Sequence, residues 1–162
     1  SYRELPLKLS EFGHVHRHEL SGVLHGLLRV RAFTQDDTHI MCTHDQLEQE
    51  IVNVLTLVNI TLKKTGFENI HVSLATKPKS AMGSDELWNQ AIDSLKKALA
   101  TSGHTYTIKP GEGAFYGPKI EVGIEDSMGR HWQCGTIQVD FFQPENFDMT
   151  YVASHGKKER PV

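Results

Sequence analysis

The stretch "RVRAFTQDDTHIMC", residues 29–42, decides how the first third of the chain is read. Its odd positions are Arg29, Arg31, Phe33, Gln35, Asp37 and His39. Its even positions, Val30, Ala32, Thr34, Asp36, Thr38, Ile40 and Cys42, are mostly small or apolar. Side chains alternate between the two faces of an extended strand. A strand here would gather two guanidiniums, an aromatic ring, an amide, a carboxylate and an imidazole on one face. Upstream, "LPLKLSEF" (residues 5–12) alternates weakly as a strand, and "HVHRHEL" (residues 14–20) follows as a second, polar one. "SGVLHG" (residues 21–26) is the flexible loop before the opening stretch. Strand, loop and strand are thus expected in that order, with charged residues on both arms.

Beyond residue 42 the pattern turns helical. Thr43 begins a helix with Gln46 as its capping-box partner, and Leu47, Ile51, Val54, Leu55, Val58 and Leu62 form one stripe up to a C-terminal Gly66. Residues 69–76 read as a strand. Ser84 caps a second helix with the stripe Trp88, Ile92, Leu95 and Leu99, ending at Gly103. "TYTIK" is a short strand before the glycine-rich loop "PGEGAFYGP". "KIEVGIED" and "HWQCGTIQVDF" form an antiparallel hairpin about the turn "SMGR". In the second of these strands the apolar residues are even at Trp132 and Cys134 but odd at Ile137, Val139 and Phe141. A bulge near Gly135 accounts for the slip and brings Gln133 and Gln138 to one face. The expected class is α+β, an antiparallel sheet flanked by helices.

Composition narrows the function. The 162 residues carry a net charge of −3 with 23% charged and 38% hydrophobic residues, enough for one folded domain with a core. A dominant nucleic-acid surface needs clustered Lys and Arg, which this balance argues against; a local basic pocket stays open. The two cysteines, Cys42 and Cys134, form no CxxC, so a disulfide scaffold or cysteine-rich zinc site is not expected, and a reducing, cytoplasmic setting fits. No apolar run reaches membrane-spanning length. The ends "SYRELPL" and "KKERPV" read as internal to a longer protein.

Taken singly, the odd-position residues have ordinary explanations: surface arginines, a turn at Asp36–Asp37, a structural histidine at His39. Together they suit a nucleotide held beside an amino acid, since guanidiniums bind phosphate bidentately and an aromatic ring stacks on a purine. Arg17 and Glu19 extend the face. No HExxH signature supports a self-contained metal site, and the His14/His16 pair is not taken as one. In "GEGAFYGPK" (residues 111–119) the glycines either shape a connecting loop or let the backbone close on a ligand reached by Glu112, Tyr116 and Lys119. There is no phosphate-binding GxxxxGK[ST].

"HRHELSGVLHGLLRVRAFTQDDTHIMC", "GEGAFYGPKIE" and "WQCGTIQVDF", in this order and spacing, resemble the catalytic domain of the threonyl-tRNA synthetase family of class II aminoacyl-tRNA synthetases. The resemblance covers nearly the whole chain and places that class's motif 2, which binds ATP, at about residues 12–42. It implies that residues 1–162 are a central part of the catalytic domain, with motifs 1 and 3 and the tRNA-binding and editing domains lying elsewhere. It implies a ligase that converts L-threonine and ATP, with magnesium, to threonyl-adenylate and transfers threonine to tRNA(Thr), in a homodimeric parent. Arg17 would hold the α-phosphate and the amino-acid carboxylate, Glu19 the adenine amino group and Arg29 the terminal phosphate. Phe33 would stack on adenine. Gln35, Asp37, Tyr116 and Lys119 would hold threonine and the adenylate, with Gln133 and Gln138 on the ribose and amino-acid side. Arg17, Tyr116 and Lys119 are the implied catalytic groups. His39 would be one of three protein ligands of a catalytic zinc; the family's cysteine and second histidine are not among these residues. Such a zinc takes the amino and hydroxyl groups of threonine, and a site built for a hydroxyl rejects valine far better than an apolar pocket could. Ala32 stands where the family usually has glycine. With one ligand of three, the chain is expected to fold but neither to hold zinc tightly nor to form threonyl-adenylate. A non-catalytic module binding threonine or adenylate is the alternative; a metal hydrolase is disfavoured because no ligand cluster is visible.

Overall fold

The computed structural model describes residues 1–162. After a 3-10 turn at Tyr2–Glu4, β1 (Leu7–His16) pairs antiparallel with β2 (Ala32–Met41) over their whole lengths, Leu7 opposite Met41 and His16 opposite Ala32. The two strands expected over residues 5–20 are therefore one strand running through Gly13. Gly13 has no side chain to break the ladder and sits directly opposite Gln35. The connection, residues 17–31, holds a second 3-10 turn (Ser21–Val23) and a narrow bridge between His25 and Arg29. Arg17, Glu19, Arg29 and Arg31 thus lie past the strand ends, although the Arg17 amide still donates to the Arg31 carbonyl at 2.8 Å.

The first long helix, α1 (Leu47–Lys64), starts four residues later than Thr43 predicts. Half of the expected box is present: the Thr43 amide donates to Gln46 Oε1 at 3.1 Å. The Thr43 hydroxyl instead donates to Asp45 at 2.6 Å, so residues 43–46 make a turn and the helix begins behind it. Its far end is as read: Gly66 takes φ +92°, and the Phe67 amide reaches back to the Leu62 carbonyl at 3.0 Å. β3 (Ile70–Ala75) follows, then α2 (Asp85–Thr101), whose Ser84 cap accepts from the Leu87 amide. Next come β4 (Thr107–Lys109), β5 (Lys119–Glu125), β6 (His131–Gln138), α3 (Phe142–Asn146) and a small pair, β7 (Tyr151–Val152) and β8 (Lys158–Glu159). None of the last three elements was legible in the sequence.

The class is α+β, but the strands form three sheets: β1–β2, a four-stranded sheet in the order β4-β3-β5-β6, and β7–β8. One pairing departs from the antiparallel expectation: β4 runs parallel to β3, because α2 carries the chain back across the sheet before β4 enters at its edge. The four-stranded sheet is amphipathic. Val72, Leu74, Ile120, Val122 and Ile124 are buried, and all but Ile124 share one cluster with Leu47, Ile51, Leu55, Ala91, Leu95, Ala98 and Leu99 from α1 and α2. Ala91 and Ala98 complete an α2 stripe of which Ile92 is only partly buried. Cys42, Val139 and Val162 join this core, and Cys42 and Val162 exchange backbone hydrogen bonds at 2.9 and 3.0 Å.

The expected bulge is present. Val122 pairs with Gly135 and Gly123 with Gln133, leaving Cys134 as the extra residue. Without it, the polar-face phase set by Gln138 and Thr136 would continue to Cys134 and Trp132. With it, Gln133 and His131 take those places, beside Lys119, Glu121, Gly123 and Glu125 of β5.

Candidate active site

The hairpin β1–β2 presents the alternation read from the sequence. Directly paired residues share a face, so Val15, Glu11 and Leu9 stand with Phe33, Asp37 and His39, and Gly13 sets no side chain opposite Gln35. Arg17, at the head of this row, lays its guanidinium over the Phe33 ring at 4.9 Å from the centroid. Arg17, Gln35, Asp37 and His39 are exposed, and Phe33 is half-buried. The opposite face is anchored at its base, where the Lys8 ammonium meets Glu50 of α1 at 2.5 Å. Arg29 sits outside the strand but reaches Glu19, with its Nη2 and Nε 3.1 and 3.3 Å from the same carboxylate oxygen. Two groups assigned to the two ends of a nucleotide therefore pair with each other.

The remaining residues of the expected site belong to the four-stranded sheet and its glycine loop. Tyr116 donates its hydroxyl to Gln138 Oε1 at 2.7 Å. Lys119 Nζ lies 2.6 Å from Glu121 Oε1, and Lys109 Nζ lies 2.8 Å from Oε2 of the same carboxylate. Burial alone would raise the Glu121 pKa; hydrogen bonds from the two ammonium groups outweigh it and hold the carboxyl below its usual range. The Lys109 pKa is raised, chiefly by that same hydrogen bond. Gln133 turns to Thr136, donating at 2.7 Å. The loop glycines close on the chain's own backbone rather than on open space for a ligand. A Cβ at Gly117 would lie 2.2 Å from the Val139 carbonyl oxygen, and one at Gly113 would lie 2.6 Å from that of Thr76. This tight seating sets Tyr116 against Gln138. Glu112 makes no side-chain hydrogen bond and stays at the surface.

Alternation and the hairpin slip predict one cavity for ten residues, but Arg17, Arg29, Phe33, Gln35, Asp37 and His39 are carried by the hairpin and its connection, and Tyr116, Lys119, Gln133 and Gln138 by the four-stranded sheet and its glycine loop. An open groove of about 400 Å³ on the polar face of the four-stranded sheet is lined by His71, Ser73, Lys109, Glu121, His131 and Gln133 among others, and takes in Gln133 alone of the ten. The hairpin touches that sheet through its connection, where His25 stacks on Trp132 with centroids 5.2 Å apart. The sequence marks Trp132 only by its apolar phase in the second hairpin strand and gives no role to His25.

The residues around His39 do not complete a zinc site. It is the one imidazole on its hairpin face and belongs to no group of three ligating side chains. Cys42, the nearest cysteine in sequence, is buried, and burial together with Glu50 and Asp45 pushes its thiol up to about 11, away from the thiolate a metal needs.

An amphipathic mixed sheet backed by two helices thus accompanies a long hairpin that carries arginine, an aromatic ring, amide, carboxylate and imidazole in file. The family model for the class II tRNA synthetase core domain (G, H, P, S and T) matches residues 1–162, and the chain belongs to that family. Within it, the similarity is to the threonine enzymes. The chain is 59% identical over all 162 residues to the threonine--tRNA ligase of Acetivibrio thermocellus and 57% identical to that of Nautilia profundicola. It spans 25% and 26% of those two relatives, about a quarter of their length. Among solved structures, the RNA binding domain of threonyl-tRNA synthetase from Cryptosporidium parvum superimposes over the whole chain and 41% of its own length, with a TM-score of 0.92 and 44% identity. A putative threonyl-tRNA synthetase from Aeropyrum pernix covers 90% of the chain and 35% of its own length, with a TM-score of 0.75 and 39% identity.

Proposed function

We propose that this chain is the central part of the catalytic domain of a threonine-tRNA ligase, which activates L-threonine with ATP to threonyl-adenylate and transfers it to tRNA(Thr). The observation that carries the reading is the single file of Arg17, Phe33, Gln35, Asp37 and His39 on one hairpin face, in a chain 59% identical to a threonine--tRNA ligase. In the activation step the threonine carboxylate attacks the α-phosphorus of ATP and pyrophosphate leaves. Negative charge grows on the α-phosphoryl oxygens, and a guanidinium at Arg17 stabilises it. Phe33 offers its ring to adenine in the place its own Arg17 now covers, and Glu19 and Arg29 exchange their mutual ion pair for the adenine amino group and the terminal phosphate. Gln133 serves the ribose side. Asp37, with Gln35, Tyr116 and Gln138, receives threonine, and Lys119 reaches the adenylate.

Discrimination follows from Asp37. A carboxylate that accepts from the substrate hydroxyl is left unpaired when valine enters, and that is costly once the bound amino acid and adenylate have shut water away from it. Zinc, the family's cofactor, would offer a Lewis acid to the same amino and hydroxyl groups. This chain supplies His39 toward it and no further ligand there.

The test is threonine-dependent ATP–pyrophosphate exchange in a protein of the relatives' full length carrying this segment. Asp37→Ala is expected to lower kcat/KM for threonine by about 100-fold or more, the scale on which lost hydroxyl recognition is felt, with KM for ATP little changed. An equal loss for ATP would remove the assignment. The 162-residue chain by itself is expected to give no exchange. Arg17 and Arg29 are exposed, and in water their attraction for phosphate is reduced to about 1 kcal/mol per pair at contact.

A further inference from the structure

We propose that His71, Glu125 and His131 form a divalent transition-metal site of the zinc class on the polar face of the four-stranded sheet, apart from His39. The three residues come from three neighbouring strands, β3, β5 and β6. Their ligating atoms all lie within 4.8 Å of one another. His71 Nε2 stands 3.5 Å from Glu125 Oε2, and the His71 and His131 rings meet edge to face with centroids 4.5 Å apart. A tetrahedral zinc with bonds of about 2.1 Å needs its ligand atoms roughly 3.4 Å apart. Small side-chain rotations close the remaining distance, because the sheet already fixes the backbone.

Two features make this a prepared arrangement rather than a chance surface pairing. The first is the bulge at Cys134. It shifts the phase of β6 so that His131, opposite Glu125, faces the polar side; an unbroken ladder would aim it at the helices. The second is Gly123, opposite both His71 on one strand and Gln133 on the other. A Cβ there would sit 3.9 Å from the His71 Cβ and 3.4 Å from the Trp132 carbonyl oxygen, so it would fit, but its side chain would fill the space between the ligands. As glycine it leaves that space continuous with the groove lined by His71, Gly123 and His131. The Glu125 carboxylate stands against the His71 ring and against no lysine or arginine. Two neutral imidazoles and a carboxylate suit zinc, cobalt or nickel better than calcium or magnesium, which prefer all-oxygen shells. Three protein ligands leave a fourth position open toward the groove, where water or an anionic group completes the shell.

Isothermal titration of ZnCl2 into the EDTA-treated, dialysed chain measures the stoichiometry, and titration of Co2+ reports the geometry through its visible ligand-field bands. One zinc per chain is expected, with cobalt bands of a four- or five-coordinate ion. His71→Gln and His131→Gln should each weaken zinc by more than the roughly 10-fold that loss of an outer-shell partner causes. Gly123→Val should weaken it while leaving all three ligands in place, and His39→Ala should leave it unchanged. Both histidines are exposed, so far-UV circular dichroism of the variants is expected to match the parent. Absence of stoichiometric uptake overturns the proposal. So does uptake that survives both histidine substitutions, or that disappears with His39→Ala.

Discussion

The Asp126 carboxylate accepts from the amides of Met128 and Arg130 and from the side chains of Arg130 and Trp132, at 2.8–3.0 Å. These bonds, the Trp132 indole first among them, hold its pKa well below the usual carboxylate range. A depressed folded pKa gives stability that is complete above the unfolded value of about 3.9 and is lost as pH falls toward the folded one. Asp126→Asn is therefore expected to lower the melting temperature clearly at pH 7 and by a smaller amount at pH 3. An equal drop at both would mean that turn geometry, not charge, is what Asp126 supplies. At this scale the sequence was legible where a residue acts on its neighbours: Ser84 as a cap, Gly66 in the left-handed region, the turn before Arg130. It was silent where partners come from distant strands. His71, Glu125 and His131 share no spacing motif, and only the pairing of three strands brings them together. Arg29 and Glu19 were each assigned to a ligand, and nothing in their separation of ten residues says that they bind each other without one.

Among the elements, the hairpin β1–β2 stands apart. Its strands are largely exposed on both faces, with Leu9 55% and Phe12 81% exposed, and it meets the core only near its base, through Lys8, Ile40 and Cys42. A two-stranded ribbon with so little cover is marginal alone. Hydrogen exchange should find the amides of residues 10–16 and 32–38 opening well before those of β3 and β5, whose buried faces tie them to the global transition. Equal protection in both sheets would show that the ribbon is held by more than its own ladder. The alternation of residues 29–42 announced this ribbon because period two is a strong signal. The pattern suggests a boundary between residues 12 and 14 because Gly13 looks like a break, whereas it is an unbroken pairing partner of Gln35. β4 was read as a strand, but its parallel direction follows from the path of α2 and is written in no local pattern.

For the whole molecule, the core and the candidate site are unequal partners. Leu95 is fully buried where α2 meets α1 and the four-stranded sheet. The same cluster includes Cys42, at the foot of the hairpin, and Val162, at the end of the chain. Loss of the core must therefore release the ribbon that carries Arg17, Asp37 and His39, whereas change on the exposed ribbon need not reach the core. Leu95→Ala should cost about 2–5 kcal/mol of unfolding free energy, the range for a leucine truncated in a close-packed interior. Gln35→Ala, exposed and opposite a glycine, should stay within about 0.5 kcal/mol of the parent. Urea unfolding followed by circular dichroism and by tryptophan fluorescence checks both. Trp88 reports the core and Trp132, stacked on His25, reports the junction with the hairpin connection. The two signals should move together in Leu95→Ala. A loss below about 1 kcal/mol there, or separate transitions for the two probes, would show that the hairpin and the sheet do not share one core.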